Sequence, residues 1–172
     1  SDVCSSDLNL KRMKELGIGW AMQDATYYSA ERYLKTLGEA GLRRPPPIKT
    51  ALSLGVNVGM GTDAHRVASY NPMVGLRWLV DGKSVYGMTT RGPDQLLSRE
   101  EALRVYTLGS AWFVRDETRR GSLEVGKLAD LAVLSEDYLS IPTERISEIE
   151  AVLTMVGGRV VYAADRFAKL QE

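Results

Sequence analysis

Near residue 115 the periodicity of this chain changes, and that change limits the folds open to it. Before it, short apolar runs at 18–22 (IGWAM) and 56–60 (VNVGM) alternate with stretches of helical spacing; after it, strand-like runs dominate. Alternating helices and strands followed by consecutive strands predict an α/β portion joined to a smaller β portion. The spacing puts the boundary between Arg115 and Gly121.

Local signals place the elements. NLKRMKELG reads as the end of a helix closed near Gly17, and the strand at 18–22 delivers Gln23 and Asp24 to its far end. A polar, aromatic loop is expected next, then a short helix within ERYLKTLGEAG. RRPPPIKTALSLG predicts a helix entered through prolines and stopped by Gly55, ahead of the strand at 56–60. Asn71 and Pro72 form an N-cap and first-turn pair, and Ser98 with Glu101 forms a capping box before apolar residues at helical spacing. LADLAVLS and AVLTMV read as strands, and Gly157-Gly158 signals a hairpin turn into RVVYAA. No internal repeat or low-complexity segment is present.

Composition narrows the function classes. With 22 basic and 22 acidic residues interspersed along 172, there is no basic stripe for a nucleic-acid backbone or an anionic membrane. No apolar run approaches the length of a membrane span, and the N-terminus lacks a signal-peptide pattern, so the expected compartment is the cytoplasm. The opening octet SDVCSSDL has neither helical nor strand periodicity and corresponds to the translation of a common sequencing adapter, which marks residues 1–8 as an adapter-like, non-native segment. It contains the one cysteine, Cys4, so no intramolecular disulfide is possible, and no local motif makes Cys4 a nucleophile.

GMGTDAHRVASYNP, residues 59–72, is where chemistry is expected, and the residues alone leave two readings open. Gly59, Gly61 and Ala64 satisfy G-x-G-x-x-A after a strand, with Asp81 about twenty residues on, the pattern of a dinucleotide-binding oxidoreductase domain. That reading needs a helix opening inside the motif, whereas Asn71-Pro72 starts a helix of its own. Alternatively, Asp63 and Thr62 cap the turn after the strand, and the segment carries no chemistry.

Taken together, GVNVGMGTDAHRVASYNP, SREEALRVYTLGSAWFV, GSLEVGKLADLAVL and VLTMVGGRVVY resemble the C-terminal portion of the amidohydrolase superfamily, in its amidohydrolase family 3 branch. The resemblance implies a metal-dependent hydrolase acting on C–N bonds other than peptide bonds, in amide or N-acyl small molecules. It also implies an α/β fold, here a C-terminal fragment of a (β/α)8 TIM-type barrel followed by part of a small β-sandwich. Residues 9–118 would be the last two β/α units and residues 119–172 the sandwich part. Asp63 would end the last barrel strand, on the face that carries catalysis in such barrels. There the resemblance gives it two roles, ligand to a divalent metal, zinc being expected, and acceptor of a proton from the attacking water.

His65, Arg66, Tyr70, Gln23 and Asp24 are candidate substrate contacts at the same rim. His65 stands two residues past the family's aspartate and is expected in a loop rather than as a ligand. Trp78, Trp112 and Phe113 fall on apolar helix faces and are expected in the core, and VRDETRR is expected to be a solvated connection. The family's site takes further histidines from earlier strands, and this chain has one histidine and no His-x-His. The remaining ligands are therefore expected from the remainder of the parent chain, with this portion inactive alone.

Overall fold

The structure, a computed structural model, describes residues 2–42, 47–64 and 68–170. Helix α1 (Asp2–Glu15) takes in most of the octet that reads as aperiodic. Adding turns to an established helix is far easier than nucleating one, so the packed stretch around buried Leu10 can carry a weakly patterned N-terminal turn. Gly17, at φ 67°, ends it and leads into β1 (Trp20–Met22).

Helix α2 (Ala25–Leu42), broken at Gly38, begins directly after Asp24, where a loop was expected. Tyr27 and Ala30, three residues apart, bury one face, and Tyr27 meets Tyr28 edge to face at 4.8 Å. This packing outweighs the modest helix propensity of TYYS. Helix α3 (Ile48–Ser53) buries Ile48 and Ala51, and Gly55 at φ 76° releases the chain into β2 (Val58–Met60). β2 lies parallel to β1 in the register Trp20↔Val58, Met22↔Met60, with the two helices forming the crossover that parallel strands require.

Helix α4 (Pro72–Asp81) starts as expected, with the Asn71 carboxamide oxygen accepting from the Met73 N–H at 2.9 Å and Pro72 at the first position. The capping box opens α5 (Arg99–Arg104), but this helix is not uniform. It passes through a π-helical turn, Val105–Gly109, into α6 (Ser110–Phe113). The turn lies directly on β2, so that a Cβ at Gly109 would stand 2.1 Å from the Val58 carbonyl oxygen. Trp78 is fully buried, as expected. Trp112 is only half-buried and Phe113 is 38% exposed, because both cover glycines of the parallel strand segment rather than fill an interior.

Beyond residue 115, VRDETRR is more than a solvated link. Asp116 pairs with Arg120 at 2.5 Å and with Arg119 at 3.4 Å. Strands β3 (Leu131–Leu134), β4 (Ala151–Val156) and β5 (Arg159–Ala163) form an antiparallel sheet in that order. Gly157 and Gly158 close the β4–β5 hairpin, both at positive φ as a type I′ turn demands. Tyr138, Ile141, Ile146 and Ile149 join Leu76, Trp78, Leu79 and Leu97 in one buried cluster, so residues from both sides of the periodicity change share a core. Among the described residues no helix is long and apolar enough to cross a membrane.

Candidate functional site at the strand ends

Parallel strands present their C-terminal ends on one side, and here those ends are held together. The Gly61 N–H donates to the Met22 carbonyl at 3.0 Å, extending the β1–β2 pairing by one step. The Ser110 hydroxyl, at the start of α6, accepts from the Met60 N–H at 3.3 Å and donates to the Met60 carbonyl at 3.0 Å. The last residue of β2 is thus fixed from the helix side just before the chain leaves the sheet.

Asp63 follows three residues after Met60, exposed, with φ 49°. The left-handed region is unusual for a side chain other than glycine, although Asp and Asn tolerate it best. Gly61 has no atom within 4 Å of where a Cβ would stand, so the backbone ahead of Asp63 is open to approach. Gly59 differs. A Cβ there would come within 2.9 Å of both the Phe113 ring and the Gly109 carbonyl oxygen, so this glycine serves helix packing, not access to a ligand. The dinucleotide fingerprint is not realised either: residues 59–64 contain no helix, and α4 starts only at Pro72.

The other expected site residues divide. Gln23 is exposed beyond β1, and Tyr70 is 82% exposed shortly before α4. The nearby loop is tied down by the Ser69 N–H, which donates to the Tyr28 hydroxyl at 3.2 Å. His65 and Arg66 lie outside the described residues. Asp24, expected at the rim beside Gln23, is instead fully buried, and neither carboxylate oxygen has a protein hydrogen-bond partner. Burial pushes its carboxyl up to about 6, and its own backbone N–H pulls the other way.

Sequence reasoning missed two residues. The Tyr106 hydroxyl, in the π turn, is buried and unpartnered; burial drives its pKa up, and the neighbouring Asp24 charge adds to the rise. Ser110 is the clamp on Met60. Neither carries a sequence signal, because both sit at ordinary helix positions whose partners are set by the π turn. A separate cleft of about 340 Å³, lined by Leu52, Val56, Val58, Leu108 and Trp112, opens beside the start of β2, at the end of the strand remote from Asp63.

A metal cage is not formed by the described residues. Among them no three His, Cys, Asp or Glu side chains converge, and at the strand ends the exposed carboxylate is that of Asp63 alone. A structural zinc needs about four such donors and a catalytic one about three.

Comparison with known proteins defines the class. Residues 2–162 match the model of the amidohydrolase family. The chain therefore belongs to the amidohydrolase family. Among curated relatives it is 30% identical over 116 residues to the N-substituted formamide deformylase of Arthrobacter pascens, covering 67% of this chain and 21% of that protein. It is 32% identical over 130 residues to the imidazolonepropionase of Syntrophobacter fumaroxidans, covering 76% and 26%. The chain thus spans about a quarter of the length of the curated relatives it matches. Among solved structures, an uncharacterized metal-dependent hydrolase from Pyrococcus horikoshii superposes with a TM-score of 0.64 at 26% identity, covering 79% of this chain and 28% of that one. A second, from Pyrococcus furiosus, gives 0.60 at 28% identity, covering 76% and 26%.

Proposed function

We propose that this chain is the C-terminal portion of a metal-dependent amidohydrolase that cleaves C–N bonds other than peptide bonds in small amide or N-acyl substrates. In this reading β1 and β2 are the last two strands of a (β/α)8 barrel, residues 9–118 are its closing units, and residues 119–172 are part of a β-sandwich. The enzyme is cytoplasmic. The divalent metal is zinc, with Asp63 as one ligand and the others supplied by the remainder of the parent chain, so the portion alone is inactive.

One observation carries the reading. β1 and β2 are parallel and in register, and the Asp63 carboxylate stands exposed on a left-handed residue at their common C-terminal end. Such a carboxylate can accept a proton from a water molecule whose oxygen forms a bond to the substrate carbonyl carbon. As the C–N bond breaks, the proton passes from Asp63 to the leaving nitrogen, giving a carboxylic acid and an amine. Gln23 and Tyr70, exposed at the same end, are the proposed substrate contacts, together with His65 and Arg66 in the adjoining segment. The test is turnover of an N-acyl substrate panel by the parent enzyme and its Asp63→Asn variant. Loss of turnover with the fold retained is expected, and near-normal turnover with full metal content would refute the assignment.

A further inference from the structure

Two polar groups beneath this site lack partners. Both Asp24 oxygens and the Tyr106 hydroxyl are shielded from solvent and make no hydrogen bond to the protein. Both flank the end of β2: a Cβ on Gly75 would stand 2.0 Å from the Tyr106 hydroxyl oxygen and 3.2 Å from the Met60 methyl carbon, and Asp24 lies two residues past Met22, the register partner of Met60. Leaving such groups unsatisfied costs their full desolvation, and native proteins rarely do so. Atoms of the chain already cover them, so no segment packed outside could reach them. A water molecule, by contrast, needs two to four polar partners in an enclosed site, and the two carboxylate oxygens and the hydroxyl provide enough.

Their placement gives the pair a role. Asp24 lies two residues past Met22, whose carbonyl holds the Gly61 N–H. Tyr106 lies four residues before Ser110, whose hydroxyl holds Met60. The Tyr106 side chain reaches α4, where a Cβ on Gly75 would stand 2.0 Å from its hydroxyl oxygen. A link between Asp24 and Tyr106 would therefore join β1, the π turn and α4 under the turn that carries Asp63, and π turns inside α-helices recur at functional sites.

We propose that one internal water bridges the Asp24 carboxyl and the Tyr106 hydroxyl, and that this bridge makes both of them positioning residues for Asp63. The positioning role rests on the proposed function of Asp63; the bridge itself does not. Asp24→Asn, Tyr106→Phe and the double variant of the parent enzyme test it, since each change is near-isosteric. In a high-resolution crystal structure of the parent, one ordered water should lie within hydrogen-bond distance of both groups and be absent from Tyr106→Phe. Each single variant should lower kcat by roughly ten- to a hundredfold, with KM and metal content unchanged, and the double should be no worse than the poorer single. In urea unfolding the double variant should likewise lose less than the sum of the singles. Additive unfolding losses, or Asp24 bonded directly to a side chain with no water, overturn the bridge. A water in place with kcat untouched in all three variants overturns the positioning role. If Asp63→Asn retains turnover, the reading of Asp63 fails, while the unfolding cycle and the water position still decide whether the bridge exists.

Discussion

Arg99 and Tyr138 exchange hydrogen bonds across the periodicity change. The Arg99 guanidinium donates to the Tyr138 carbonyl, and the Tyr138 hydroxyl donates to the Arg99 carbonyl at 3.1 Å. The same guanidinium donates to the Ile141 carbonyl at 2.5 Å and to the Thr143 hydroxyl at 3.1 Å. One side chain at the start of α5 thus organises the backbone of residues 138–143, which carry Tyr138 and Ile141 into the shared core. Burial pushes the Tyr138 hydroxyl up to about 12, so it stays a donor throughout the working pH range.

A planar fork meeting three acceptors cannot be replaced by an ammonium group. Arg99→Lys should therefore destabilise by about 1.5–3 kcal/mol, the range for hydrogen bonds to charged groups, and Tyr138→Phe by about 1 kcal/mol. Urea midpoints measure both. An unchanged midpoint for Arg99→Lys would show that the latch contributes nothing.

Gly109→Ala tests the seating of the π turn on β2. The added Cβ would meet the Val58 carbonyl oxygen at 2.1 Å, and backbone cannot move aside as a flexible side chain can. Overpacking of this kind costs about 1–3 kcal/mol or more, so thermal unfolding should shift down clearly. Gly61→Ala, at an open position, should shift it far less. Equal shifts for the two would contradict the packing described.

The buried Asp24 carboxyl gives a pH dependence with a definite sign. Its folded pKa, about 6, stands above the ordinary aspartate value of 3.8, so its contribution favours folding below about pH 4 and is lost as pH rises through 6. Its charge acts on Tyr27 and Tyr106, which do not ionise in that window. Relative to Asp24→Asn, the wild type should lose stability between pH 4 and 7, read from urea midpoints across that range. Parallel curves for the two proteins would mean that Asp24 is not held in a desolvated site.

Much of this was legible in the sequence where the signal is local. The Asn71-Pro72 start, the Ser98–Glu101 box and the Gly157-Gly158 hairpin each depend on residues within a few positions of one another, and all are present. The helix over residues 26–29 and the burial of Asp24 depend on what packs against them, which periodicity does not encode. The π turn has the same apolar spacing as an ordinary helix, and this hid the roles of Tyr106 and Ser110. At residues 59–64 the residue pattern left a dinucleotide site and a plain cap open. The absence of a helix within the motif removes the first, and the family match supplies the context that motif spacing could not.

The most direct measurement is turnover of the parent enzyme carrying Asp63→Asn. Asparagine keeps the size of aspartate and tolerates the same left-handed backbone, so the fold should survive while the proton-accepting charge is removed. The account predicts a fall in kcat of roughly a hundredfold or more, the scale of general acid–base catalysis. Turnover near the wild-type rate, at full metal content, would contradict it.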